Sequence, residues 1–224
     1  MYDEQRRANE SYLWRFLGQE YRRFDYGQTV DSNYGNVYTG LISKDPVFLD
    51  LGAFKGNWSK EMVTRYGGCA HLFEVQPNLV KRLKDDLGDD MRYTVHDYGL
   101  APKNELIDVG SYDDGEGFSL SKSKSVGISN KVELKSFKDF VEQNNIKEID
   151  ICKINIEGSE YDLLENMIEN NLHMLCRNIQ VEFHRQYPVP NWYNRYNSIR
   201  NNLLKTHAPT LDYYFSWQNW CRKD

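Results

Sequence analysis

Cysteine is scarce in this 224-residue chain, and the four present, Cys69, Cys152, Cys176 and Cys221, form no C-x-x-C pair and no Cys/His pair at zinc spacing. That excludes a disulfide framework and a structural zinc site, and it fits a reducing compartment such as the cytoplasm. Three of the four lie in or beside apolar runs, where cysteine serves as a small buried hydrophobe. Long apolar runs are missing too. Nothing approaches the roughly 20 residues a membrane helix needs, and the opening MYDEQRRANESY has no apolar stretch of the kind a signal peptide requires. There is no long basic run either. The chain carries 28 Lys and Arg against 33 Asp and Glu, a net charge of −5, so a groove that neutralises nucleic-acid phosphates is not expected. No internal repeat is visible.

What the chain does have is the length for one domain and 40 % apolar residues, enough for a sizeable core. Residues 4–24 read as a helix on the stripe Leu13, Phe16, Leu17, Tyr21 and Phe24, and 25–45 as a Gly/Asn/Ser/Tyr-rich loop. Residues 1–45 are therefore read as an appendage and 46–224 as the domain proper. From PVFLDLG (46–52) a rhythm sets in. Strands are expected at 46–52, 70–75, 91–96, 149–158 and 178–184. Helices are expected from an Asn57 cap, from Pro77 in a first turn, from a Ser136/Asp139 capping box, from Ser159 and from an Asn191 cap. Between residues 104 and 134 the helical period is lost, and Asp113-Asp114-Gly115 with Gly117 suggests a β-hairpin. LDYYF and QNWCRK read as a closing pair of strands. Strands alternating with helices imply a Rossmann-like α/β fold, a mostly parallel sheet with helices on both faces.

Ligands of open α/β sheets bind beyond the carboxyl ends of the strands. Those ends carry Asp50, Gly52 and Gly56, then Glu74, then His96 and Asp97, then Asn155 and Glu157, then Glu182 and His184. DLGAFKG (50–56) is a D-x-G-x-x-x-G turn between strand and helix, and Glu74 follows Gly52 by 22 residues, the distance of a ribose-binding carboxylate. Phe54 stands where a dinucleotide fingerprint has its second glycine, which disfavours a nicotinamide cofactor. A nucleoside without pyrophosphate fits better, and S-adenosylmethionine answers that description.

VFLDLGAFKGNWS, FEVQPNLVKRL, VELKSFKDFV, CKINIEGSEYDLLENM and QVEFH together resemble the FkbM family of S-adenosylmethionine-dependent O-methyltransferases, in order and over about residues 46–184. The family signature K-I-D-V-E-G-x-E is matched by Lys153, Ile154, Ile156, Glu157, Gly158 and Glu160, with Asn155 in place of the Asp. FEVQP stands where F-E-P is common. The resemblance implies a seven-stranded methyltransferase fold and methylation of a hydroxyl, often on a sugar or secondary metabolite. It implies cofactor contacts from Asp50, Gly52, Ala53, Gly56 and Glu74. Phe54, Val75, His96, Asp97 and Glu157, at the same strand ends, join the expected cofactor-binding set.

An alkyl hydroxyl needs its proton removed as it attacks, and histidine titrates near neutrality. Of the five histidines, His71, His173 and His207 read as structural or solvated. His184 ends the fifth strand on the same face as Glu182 and is the expected base, with Glu157 and Asn155 as further catalytic candidates. Losing the carboxylate at position 155 removes a hard ligand for Mg²⁺, so metal independence is expected. The aromatics between Tyr187 and Trp220 (Trp192, Tyr193, Tyr196, Tyr213, Tyr214, Phe215, Trp217) either pack the domain or stack on a carbohydrate acceptor. Trp192 and Tyr196 are expected in the core. The hairpin charges Asp113, Asp114, Glu116, Lys122, Lys124 and Lys131 read as solvated, or as a lid over the acceptor. Two alternatives stand beside the sugar O-methyltransferase: a catalytically silent S-adenosylmethionine-binding module, and an O-methyltransferase of a non-carbohydrate small molecule. The N-terminal helix is a dimerisation element, a cap on the site or the end of a linker.

Overall fold

A computed structural model describes residues 43–111, 118–119, 129–184, 189–212 and 217–223. The expected helix at 4–24, the hairpin tip at Asp113–Gly117, Lys122, Lys124, Tyr187 and the run Tyr213–Phe215 lie outside the described residues. Strand β1 (Val47–Leu51) is a buried apolar run. Helix α1 (Asn57–Tyr66) follows it, and its cap is Gly56 at φ 71°, one residue ahead of the expected Asn57. Glycine reaches that left-handed conformation without the Cβ penalty. β2 (Cys69–Phe73) leads to α2 (Pro77–Leu87), whose first residue is the proline with no amide to satisfy. β3 (Tyr93–His96) closes this half.

β4 (Gly99–Ala101), β5 (Glu105–Ser111), β6 (Phe118–Ser119) and β7 (Ser129–Ser136) form a separate sheet in the order β4-β7-β5-β6. β5 and β7 are antiparallel, as a hairpin requires, with Leu106 opposite Glu133 and Gly110 opposite Ser129. α3 (Phe137–Gln143) begins on Ser136, whose Oγ accepts from the Asp139 amide at 3.1 Å. The reciprocal half of the capping box is absent, because the Asp139 carboxylate accepts from Asn104 Nδ2 instead.

β8 (Ile149–Ile154) stops four residues short of the expected strand, where the chain turns through left-handed Glu157 at φ 54° and Gly158 at φ 104°. α4 (Glu160–Glu169) and a single 3₁₀ turn (Leu172–Leu175) lead into β9 (Cys176–Glu182). α5 (Trp192–Thr206) then joins β10 (His207–Asp212), and β11 (Trp217–Arg222) completes the described chain. His207 opens β10, directly after the end of α5.

The main sheet runs β10-β11-β9-β8-β1-β2-β3, and β11 alone is antiparallel to its neighbours. One face packs on α3, α4 and α5 through Leu49, Ile154, Tyr161, Phe183, Tyr196 and Trp220; the other meets α1 and α2 through Phe48, Met62, Leu72 and Leu83. This is the mostly parallel, Rossmann-like α/β architecture expected. Cys152 and Cys176 are buried, and all four cysteines are free. No described helix is long and apolar enough to cross a membrane.

Candidate active site

The chain switches direction between β1 and β8, which lie side by side with Asp50 opposite Lys153. Gly52 caps this junction at φ 78°. A Cβ there would run into the backbone carbonyl oxygen of Asn155, so only glycine lets the two strand ends close up. Its amide and that of Ala53 both donate to Phe73 O at 3.0 Å, which folds the loop back onto the end of β2. Phe54 sits at φ 52°, an uncommon conformation for an aromatic residue; the residue is 38 % exposed, and the Lys55 ammonium lies 4.6 Å from its ring centroid.

Asp50 is fully buried under this loop. Lys153 Nζ donates to its Oδ1 at 2.7 Å and Ser59 Oγ to its Oδ2 at 2.7 Å, while the same ammonium also donates to Gly52 O at 3.0 Å. Both oxygens of Asp50 are therefore engaged by the chain's own side chains, which brace the loop from below.

Glu74 is buried at the end of β2. Its Oε1 accepts from the Val75 and Gln76 amides at 2.8 and 3.0 Å, and its Oε2 from the Phe54 amide at 2.9 Å. A carboxylate offers about four acceptor positions, so a single one remains, on Oε2. Burial raises the pKa of Glu74, against the opposing pull of those three amides.

His96 and Asp97 take other company. The His96 ring stacks on Phe73 at 4.5 Å, stands edge-on to Phe140 and meets His71 with Nδ1···Nε2 at 3.0 Å. Burial pushes its pKa down to about 4, so it is neutral. The Asp97 carboxylate pairs with Lys84 at 3.5 Å on the exposed side.

At the ends of β8 and β9 three glutamates surround His184, which is 3 % exposed. Nε2 lies 3.6 Å from Glu157 Oε2 and 3.9 Å from Glu182 Oε2; Nδ1 lies 3.4 Å from Glu160 Oε1. Burial works to lower the pKa of His184, but Glu160, then Glu182 and Glu157, outweigh it, and the net shift is upward. Asn155 has a buried Oδ1 that accepts no hydrogen bond among the described residues. Trp217, opposite Glu182 in the sheet, likewise has a buried indole N–H without an acceptor among them. At 0 % exposure, Tyr196 is core as expected, whereas Trp192 is only partly buried and meets Tyr193, 51 % exposed, edge-on at 5.8 Å.

The structure thus gathers Gly52, Ala53, Phe54, Gly56, Glu74 and Val75 into one loop cluster, with the Asn155 backbone against Gly52, and brings Glu157 and His184 together in a second. His96 and Asp97 border the first cluster through the Glu74 amide, which donates to His96 O at 3.1 Å. Ser59 was not foreseen, since it carries no motif. Trp217 stands among the aromatics expected either to pack the domain or to stack on the acceptor. Glu160 did carry a signal, since an acidic residue in a helix's first turn seeks backbone amides. Among the described residues no cluster of His, Cys, Asp and Glu has the makings of a metal site.

The model of the methyltransferase FkbM domain matches residues 50–208. No protein of curated function matches significantly. Among solved structures, the METTL16 MTase domain is 10 % identical with a TM-score of 0.45, over 88 % of this chain and 63 % of that one. A human methyltransferase 10 domain containing protein is 11 % identical with a TM-score of 0.42, over 89 % and 81 %. The Methanococcus jannaschii fibrillarin pre-rRNA processing protein is 12 % identical with a TM-score of 0.44, over 80 % and 67 %.

Proposed function

The chain belongs to the FkbM methyltransferase family, and we propose that it transfers the methyl group of S-adenosylmethionine, the cofactor of that family, to a sugar hydroxyl with His184 as general base. The residues present fit that cofactor. The loop from Gly52 to Gly56 has no Cβ at its tightest point, Glu74 keeps one acceptor position for a ribose hydroxyl, and the buried Asn155 Oδ1 requires an N–H or O–H donor. Gly52, Ala53, Phe54, Gly56, Glu74 and Val75 would hold the nucleoside, Asp50 bracing them, with His96 and Asp97 along the border. Asn155 and Glu157 would receive the amino-acid end or the acceptor. When bound, the cofactor supplies a methyl group on a sulfonium, an electrophile that needs no further activation.

The protein's task is then to aim the hydroxyl and accept its proton. The observation that carries the reading is His184 Nε2, buried at the same sheet edge, with two carboxylates 3.6 and 3.9 Å away. As the methyl carbon passes from sulfur to the hydroxyl oxygen, the S–C electron pair leaving with a neutral thioether, the hydroxyl proton would pass to Nε2, and Glu157, Glu160 and Glu182 would stabilise the imidazolium so formed. The sugar acceptor is supported by Trp192 and exposed Tyr193, an aromatic pair at the start of α5, where rings can stack on the C–H faces of a pyranose. Four free cysteines support a cytoplasmic setting.

His184→Asn is expected to abolish methyl transfer to a glycan panel while S-adenosylhomocysteine still binds in calorimetry; undiminished turnover would refute the assignment. Asn155 in place of a carboxylate supports metal independence, so activity should survive EDTA. Loss in EDTA with recovery on adding Mg²⁺ would overturn that. A second reading, a silent binding module, rests on the same Asn155, and binding of S-adenosylhomocysteine with no transfer to any acceptor would favour it.

A further inference from the structure

Glu160 is fully buried at the first position of α4, and its carboxylate reaches both sides of the site. Oε2 accepts from the Gly158 amide at 2.8 Å, and Oε1 from the His184 amide at 2.6 Å. We propose that Glu160 is the positioning residue of the His184 base, holding the neutral imidazole with its proton on Nδ1 so that Nε2 is the nitrogen that receives the acceptor's proton. This rests on the reading of His184 as base.

The geometry supports it in three ways. First, the oxygen that accepts from the His184 backbone amide also lies 3.4 Å from Nδ1 of the same residue. A buried carboxylate must be surrounded by donors. The contact falls short of a hydrogen bond and acts through charge: a proton on Nδ1 faces the carboxylate favourably, whereas a bare Nδ1 would set two acceptors against each other. Second, the groups around Nε2 suit a proton arriving there. Glu157 and Glu182 both stand farther than hydrogen-bond distance, and both favour the positive charge it would acquire. Tyr161 on α4 engages the backbone instead, its hydroxyl donating to His184 O at 3.2 Å. Third, Glu160 holds the turn that carries Glu157. That residue's left-handed conformation at φ 54° and the φ of 104° at Gly158 are strained or glycine-only states that persist when the surroundings enforce them. The bond from the Gly158 amide to Oε2 is such a restraint. One carboxylate therefore fixes both the base and the glutamate facing it.

The test reads the imidazole directly and requires no knowledge of the acceptor. In long-range ¹H–¹⁵N spectra of the ¹⁵N-labelled full chain with S-adenosylhomocysteine, neutral His184 is expected as the Nδ1–H tautomer. In Glu160→Gln its titration midpoint should fall by about one pH unit or more, the effect of removing an opposite charge at this range, and the tautomers should mix. An Nε2–H tautomer in the unmodified protein overturns the inference, as does a Glu160→Gln spectrum that titrates and partitions like the parent. Should Glu160→Gln not fold, the parent's tautomer decides alone. His184→Asn separates the two readings: if that variant still turns over, the base assignment fails whatever the tautomer; if it is inactive while the proton sits on Nε2, only the role of Glu160 fails.

Discussion

Replacing Lys153 with Met tests the buried ion pair that braces the glycine loop. Asp50 is fully buried and the lysine side chain 9 % exposed, with Nζ 2.7 Å from Oδ1. Methionine keeps most of the aliphatic stem but leaves a buried carboxylate with, among the described residues, only the Ser59 hydroxyl as donor. Removing one member of such a pair costs about 3–5 kcal/mol, most of it the cost of the abandoned charge rather than the worth of the bond. For a domain of this size each kcal/mol corresponds to roughly 2–4 °C, so the midpoint of thermal unfolding should drop by roughly 6–20 °C. The double variant Asp50→Asn/Lys153→Met leaves no lone charge. It should recover about 2 kcal/mol or more of that loss, a coupling typical of residues in direct contact. Urea titrations of the parent, both single variants and the double variant give the cycle, with unchanged m-values as the control for a common unfolding reaction. Because Lys153 also donates to Gly52 O, the single variant should bind S-adenosylhomocysteine more weakly as well. A Lys153→Met protein within about 1 kcal/mol of the parent, or strictly additive variants, would refute the argument that a desolvated charge dominates here.

Gly52→Ala should cost about 2–4 kcal/mol in urea titration, combining a left-handed alanine at about 1–2 kcal/mol with displacement of the Asn155 carbonyl, and should weaken S-adenosylhomocysteine in calorimetry; parental stability would contradict the packing described. Stability should also fall as pH drops. His207 is fully buried, with Nε2 donating to Cys176 O at 3.2 Å, and burial pushes its pKa down to about 4. Between an unfolded value of about 6.5 and 4 the unfolded chain binds a proton that the folded one refuses, which amounts to about 3 kcal/mol at most. Half-buried His96, also pushed down to about 4, acts in the same direction. Unfolding free energies that stay flat from pH 6.5 to 4 would count against both.

Much of the fold was legible because periodicity and punctuation agree. The run PVFLDLG, Pro77 ahead of an apolar stripe and Ser136 with Asp139 each point to the element found. Boundaries moved where tertiary contacts override local pattern. β8 ends at Ile154 rather than residue 158 because Glu160 draws the following chain into a turn. β10 opens at His207 because β11, not the local sequence, offers it a pairing partner. The site residues were legible as a set, since strand-end polarity is a property of sequence, but their partners were not. Nothing in DLGAFKG says that Asp50 looks inward at Lys153, or that Glu74 spends most of its acceptor capacity on backbone amides. Those depend on which strands are neighbours, and β1 meets β8 across a hundred residues.

β11 has a consequence for the order of assembly. It is the latest strand in the described sequence, yet it occupies an interior slot, hydrogen-bonded to β9 on one side and β10 on the other. During synthesis the sheet can grow from β3 to β9 and must then wait, with the amides and carbonyls of β9 displayed as an open edge and β10 without a seat. Only when residues 217–222 emerge does the gap fill. Such a waiting edge invites pairing with other nascent chains. Residues 217–222 thus decide whether this sheet closes on itself or on a neighbour.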